Sequence, residues 1–272
     1  MMRMIFRLFR LRLSLLNGIA AVGGFVLFPA PPGMTTLWGV LAGVTLLAAG
    51  GSALNQVLDR DIDTLMTRTR LRPLPTGELP PATAAALGSG AVLAGLTVLA
   101  ASGGPLSALF GALPLVIYLG LYTPLKRRTP LALLAGALCG ALPPVIGWCA
   151  AGGSPEDFRV ILLAGVLYLW QIPHFWLFQQ RHTADYRCAG IPVLASAFGE
   201  RSPAGLCRLW LAALIAGSML FPAFGMIGRG AAVCAAAFPL ALLLCRLRAE
   251  TALFSCLNLF PLLLTLAFFV RQ

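Results

Sequence analysis

The sequence predicts an all-α, polytopic membrane bundle of about nine transmembrane helices, and three observations carry that expectation. The 272 residues are 59% hydrophobic and only 11% charged, more apolar matter than one water-soluble core of this length could hide. Apolar stretches close to the roughly 20 residues needed to cross a bilayer recur along the whole chain. Short segments between them hold almost all of the charge.

The first expected span, 13–29, follows a basic start (Arg3, Arg7, Arg10, Arg12). It reads as a retained helix rather than a signal peptide, because further spans and no soluble domain follow it. The second, 37–57, runs straight into an acidic cluster. Spans 82–101 and 106–122 come next, then 130–151 with Pro143 and Pro144, and 159–179 with Pro173. Spans 207–227, a short 231–245 with Pro239, and 251–270 with Pro261 complete the set. Prolines inside bilayer helices are tolerated where neighbours re-satisfy the freed backbone groups, so kinks are expected there and at Gly95 and Pro114.

Positively charged loops stay cytoplasmic, which fixes the expected orientation. With the N-terminus inside, all of the 20 Lys and Arg residues except Arg159, Arg229 and Arg271 fall on cytoplasmic segments, and the C-terminus lies outside, in the periplasm. The net charge of +11 therefore faces an anionic leaflet, and nucleic-acid binding is not expected. The seven cysteines form no CxxC pair and read as small packing residues. Residues 1–272 read as a single integral-membrane domain.

Of nine acidic residues, three crowd into Asn55-Gln56-Val57-Leu58-Asp59-Arg60-Asp61-Ile62-Asp63. Asn55, Asp59 and Asp63 are spaced i, i+4, i+8, so a continuing second helix places them on one stripe while Asp61 points elsewhere. A carboxylate near hydrocarbon costs about 2.5–3.5 kcal/mol, so the stripe needs a compensator. A divalent metal, which suits hard oxygen ligands, or the arginines that follow would serve. Magnesium is typically shared between a few carboxylates and substrate phosphates, and a phosphate-binding side is also present. Arg68-Thr69-Arg70-Leu71-Arg72-Pro73 continues to Gly77 as a structured basic loop. A second basic patch, Lys126-Arg127-Arg128, closes the fourth span on the same side. Asp185, in the third cytoplasmic loop, is a candidate second ligand across the bundle.

The run from Asn55 to Asp63 resembles the first acidic motif of the UbiA superfamily of intramembrane prenyltransferases. Asn55-Gln56, Asp59 to Asp63, Met66, Arg68-Thr69-Arg70 and Arg72-Pro73 look like its haem O synthase (protohaem IX farnesyltransferase) branch. Tyr122 to Arg127, Gly140 to Trp148, Trp170-Gln171-Ile172-Pro173-His174-Phe175, Asp185-Tyr186 and Gly190-Ile191-Pro192 agree. Quinone- and chlorophyll-directed members carry several Asp in the second motif, where this chain keeps Asp185 alone. Many relatives have a Lys-Pro pair after a Thr near the N-terminus; this chain reads Arg10-Leu11-Arg12, to which no role is assigned.

The resemblance implies a bundle around a central cavity open to lipid, with acidic motifs at its cytoplasmic mouth, in the cell inner membrane. It implies that Asn55, Asp59, Asp63 and Asp185 hold Mg2+ on farnesyl diphosphate. Arg68, Arg72, Lys126 and Arg127 neutralise the leaving group, with Asp59, Asp63 and Lys126 at the catalytic centre. Haem B (protohaem IX) is then a substrate rather than a cofactor. His174 is expected to ligate or hydrogen-bond it, with Trp170 and Gln171 alongside. Trp148, Tyr168, Trp170, Phe175 and Trp176 are candidates for the wall that shields an allylic cation. Candidate partners are a haem A synthase or terminal oxidase assembly factors, besides the lipid bilayer. Prenylation of a quinone precursor is the alternative. A transporter is disfavoured because the acids lie at span ends rather than at the bilayer midplane.

Overall fold

The computed structural model describes residues 2–194, 203–228 and 250–271, and all regular structure in them is helical. Helix α1 (Met2–Phe9) meets α2 (Leu11–Leu27) at a 50° bend. Helix α3 (Met34–Leu58) is followed after one residue by the short α4 (Arg60–Leu65). Helix α5 (Pro81–Leu115) passes into a π-helical segment (Val116–Tyr122) and the single turn α6 (Thr123–Leu125). Next come α7 (Ala132–Ala141), α8 (Pro143–Ala150), α9 (Phe158–Arg181) and α10 (Thr183–Cys188). Helices α11 (Pro203–Ala223) and α12 (Glu250–Arg271) complete the described chain.

By length and composition, four helical runs among the described residues can cross a membrane, or five when α1 and α2 count as one bent span. One of them, Pro81–Leu125, folds back on itself at Gly104 (φ 78°, ψ 175°), a conformation that glycine adopts without a Cβ clash. The Ser107 hydroxyl reaches the Leu99 carbonyl at 3.0 Å across this turn, and Gly111 lies against the Leu99 side chain. The expected spans 82–101 and 106–122 are therefore two arms of a hairpin. Helices α7 and α8 divide the expected 130–151 span at Leu142, just before Pro143, and Pro173 and Pro261 stay inside α9 and α12. Shorter apolar stretches of α11 and α12 coincide with the seventh and ninth expected spans, and the eighth, 231–245, lies outside the described residues. The count of nine is thus not established by the described residues.

Lipid tails are as apolar as leucine, so the helices associate through close packing of small residues. Gly43 of α3 faces Gly95 of α5, and Gly50 faces Gly88, backbone to backbone. Gly24 of α2 and Gly147 of α8 make a still closer pair of contacts. Around these seams lies a core that includes Phe25, Leu99, Ile146, Trp148, Leu163 and Phe221.

Candidate active site

The acidic stripe survives the end of α3. Asp59 caps that helix, yet its amide still donates to the Asn55 carbonyl at 2.9 Å, and the Asp63 amide donates to the Asp59 carbonyl at 2.8 Å. The 3.6-residue period therefore continues, with Asn55, Asp59 and Asp63 all buried and facing one cavity. Asp61 departs from the stripe as expected, its side chain 59% exposed. A two-pronged bond from Arg127, at 2.7 and 2.8 Å, holds its carboxyl down at about 2.

Each buried carboxylate has a cation. Asp59 takes the Lys126 ammonium and the Asn55 amide (2.9 Å), and Asn55 also donates to Thr123 at 3.0 Å. Asp63 takes Arg72 at 2.7 Å, while Thr69 donates to its carbonyl at 2.9 Å and ties the basic loop to α4. Burial raises the Asp63 carboxyl above its usual range against the pull of Arg72. Burial likewise pulls Lys126 below its usual range, opposed by Asp59. Arg68 lies over the Phe178 ring, 5.1 Å from its centroid. Burial, then the charges of Arg72 and Arg10, draw its guanidinium downward.

The cavity measures about 450 Å³ and runs from this charged mouth to an aromatic interior. His174 is stacked between Trp170 (centroids 4.9 Å apart) and Phe254 (5.2 Å), and Trp170 is pinned by its indole N–H to the Leu257 carbonyl at 2.7 Å. The His174 Nδ1 is buried without a hydrogen-bond partner. Tyr118 and Tyr122 stack 5.7 Å apart on the π-helical segment, which widens the helix where it meets the cavity.

Of the residues expected at the site, the fold brings Asn55, Asp59, Asp63, Arg68, Arg72, Lys126, Trp170, Gln171, His174 and Phe175 to the cavity. Arg127 is outside its lining, behind Asp59 and Asp61. Asp185 is also outside, its two oxygens accepting from the backbone amides of Thr67 (3.0 Å) and Arg68 (3.2 Å). Three aromatic expectations are corrected: Trp148, Tyr168 and Trp176 do not line the cavity. Trp148 instead packs against Phe28 and Arg159 and donates to the Ser154 carbonyl at 2.8 Å. One face of α9 cannot be told from another by aromatic content alone. Sequence reasoning missed Arg10, Tyr118, Phe178, Tyr186 and Phe254. Tyr118 was signalled by its i, i+4 relation to Tyr122, whereas Phe254 comes from a segment without a motif.

The UbiA prenyltransferase family model matches residues 16–269, nearly the whole chain. The chain belongs to the UbiA prenyltransferase family. A protoheme IX farnesyltransferase of Geobacter sulfurreducens is 60% identical to it over 97% of either chain. One of Oleidesulfovibrio alaskensis is 42% identical over 87% of this chain and 84% of its own. Among solved structures, a UbiA homologue from Aeropyrum pernix superposes with a TM-score of 0.79 at 21% identity, covering 96% of this chain and 98% of that one. A UbiA homologue from Archaeoglobus fulgidus bound to GPP and Mg2+ gives 0.75 at 19%, covering 98% and 99%. At these identities the solved structures show the shared fold.

The UbiA-family site suits a divalent cation completed by substrate. Among the described residues no three His, Cys, Asp or Glu side chains converge on a metal position. Two buried carboxylates and the Asn55 amide oxygen supply hard donors, and the buried Asp59 Oδ1 has no hydrogen-bond partner, only the Arg127 guanidinium 3.5 Å away. Magnesium, which takes one or two carboxylates and fills its octahedron with phosphate oxygens and water, fits such a set better than a metal needing an all-protein cage.

Proposed function

We propose that this chain transfers a farnesyl group from farnesyl diphosphate to a vinyl group of protohaem IX, giving haem O and diphosphate. The observation that carries the reading is a single cavity with a metal-suited carboxylate pair at its charged mouth and a stacked Trp170–His174–Phe254 wall inside. It is supported by the identity of 60% to a protoheme IX farnesyltransferase over almost the full length.

Asn55, Asp59 and Asp63 would hold magnesium, which when bound lends positive charge to the diphosphate oxygens. Arg68, Arg72 and Lys126 line the same mouth and stabilise the charge that grows on the leaving group as the allylic C–O bond ionises. Tyr118, Tyr122 and Phe178 line the cavity, where aromatic rings would stabilise the electron-poor farnesyl carbon and keep water away from it. The porphyrin vinyl group attacks that carbon, and water adds to the new cation and releases a proton to solvent, leaving a hydroxyl. The mouth is read as cytoplasmic, with the N-terminus inside and the C-terminus periplasmic. A haem A synthase or oxidase assembly factors would be the natural recipients of haem O.

Purified protein incubated with protohaem, farnesyl diphosphate and Mg2+ should yield a porphyrin heavier by a farnesyl group plus a hydroxyl in mass spectrometry. Unchanged haem beside a prenylated quinone precursor would overturn the acceptor assignment. The imidazole of His174 is assigned to the haem substrate. His174→Ala should weaken haem binding about tenfold in an optical titration, with farnesyl diphosphate affinity retained; equal haem affinity in the two proteins would remove the histidine from the acceptor site.

Asp185 is proposed to anchor the basic loop through the Thr67 and Arg68 amides. Replacement by Ala should raise the KM for farnesyl diphosphate about tenfold without changing the Mg2+ concentration that half-saturates turnover. A shifted magnesium requirement would instead make Asp185 the second metal ligand expected from sequence.

A further inference from the structure

The break between α1 and α2 delivers a side chain to the cavity that none of the roles above uses. Arg10 adopts φ 44° and ψ 50°, and among the described residues it is the sole non-glycine at positive φ. L-residues resist the left-handed region, so such a conformation persists only where its surroundings hold it. They do so here through three bonds. The amide of the fully buried Gln56 donates to the Leu8 carbonyl at 2.6 Å and the Arg7 carbonyl at 3.2 Å. The Ser14 hydroxyl donates to the Phe9 carbonyl at 2.8 Å. These bonds take carbonyls at the C-terminal end of α1, where an interrupted helix needs outside partners. Gln56 adjoins Asn55, so the helix that carries the acidic stripe also fixes the break.

The bend places Arg10 on the wall of the charged mouth. The two cavity-lining cations Arg72 and Lys126 are paired with Asp63 and Asp59. Arg10 and Arg68 line the same mouth with no carboxylate partner among the described residues. Four cations thus face two carboxylates, leaving a surplus of two positive charges for an incoming anion. A guanidinium is a planar, permanently charged fork suited to phosphoryl oxygens. The Gln56 bonds to the Arg7 and Leu8 carbonyls hold the end of α1 beside Asn55, so Arg10 enters the cavity at the level of the acidic stripe, its diphosphate end.

We propose that Arg10 is a direct ligand of the prenyl diphosphate, acting with Arg68, and that Gln56 and Ser14 are positioning residues that hold its strained backbone. This assignment rests on the reading of the site as one that ionises a prenyl diphosphate.

Titration of inorganic diphosphate with Mg2+ into the protein in lipid nanodiscs tests it, beside a haem titration and a melting curve. Arg10→Gly removes the guanidinium and relieves the left-handed strain at once. It should bind diphosphate about 10- to 100-fold more weakly, keep its haem affinity, and melt at the same or a higher temperature. Arg10→Lys, which keeps charge but loses the fork, should fall between wild type and Arg10→Gly. Unchanged diphosphate affinity in Arg10→Gly overturns the proposal, and a loss confined to haem would assign the guanidinium to acceptor carboxylates instead. A lower melting temperature with both affinities lost in both variants would make Arg10 structural. Wild-type protein that binds no diphosphate at all would bring down the functional reading itself, an outcome distinct from failure of Arg10 alone.

Discussion

Asp59→Asn is expected to lower farnesyl transfer by at least about a hundredfold while the exposed Asp61→Asn changes it little. Asp59 is 2% exposed, and its carboxylate answers Lys126, Asn55 and Arg127 together. Asparagine keeps the shape but removes the charge that would hold a metal. It also leaves Lys126, already drawn down by burial, without its nearest anion. Breaking a buried pair from one side typically costs about 3–5 kcal/mol, so turnover is to be compared at equal amounts of folded protein judged by melting temperature. Asp61 keeps only the exposed Arg127 pair, whose loss is worth about 1 kcal/mol or less. Turnover by folded Asp59→Asn within a few-fold of wild type would remove the carboxylate from the chemistry and leave a packing role.

The second large effect concerns assembly of the bundle. Gly147→Ala would place a methyl 1.8 Å from the Ala21 carbonyl oxygen and 2.9 Å from the Phe25 amide nitrogen. Both obstacles are backbone and cannot rotate aside. The reciprocal site is as tight, since a Cβ at Gly24 would lie 1.9 Å from the Pro144 carbonyl oxygen. Separating α2 from α8 is therefore the remaining response, at a cost of about 1–3 kcal/mol or more. Gly165 lies inside α9 with open space around its Cα, so Gly165→Ala should be neutral or stabilising by up to about 1 kcal/mol. Thermal melts of the two variants in detergent should diverge, and coincident melts would show that α2 and α8 do not approach this closely.

These two predictions draw on different levels of legibility. The stripe from Asn55 to Asp63 was readable because i, i+4, i+8 spacing is a local property of a helix, and it persists although α3 formally ends at Leu58. Gly147 sits within a segment noted by resemblance, but that its missing side chain admits the α2 backbone follows from packing alone. Arg10 illustrates the same limit. Its sequence showed a departure from the usual Lys-Pro pair and nothing more, because its place at the cavity depends on Gln56, in a different helix, reaching the end of α1.

Composition and the spacing of apolar runs by themselves determined a helical membrane bundle, since a bilayer admits only helices and closed barrels, and continuous apolar runs near 20 residues suit a helix rather than the shorter strand of a barrel. Local periodicity likewise determined which carboxylates share a face. Tertiary structure decided which cations answer them, which aromatics line the cavity and what Asp185 touches. Those outcomes depend on the rotation and depth of each helix against its neighbours, as when Thr67 and Asp185 meet across 118 residues of chain. Such rotations are set by close backbone approaches at Gly24, Gly43, Gly95 and Gly147, where a missing side chain in one helix acquires meaning only from the surface of another.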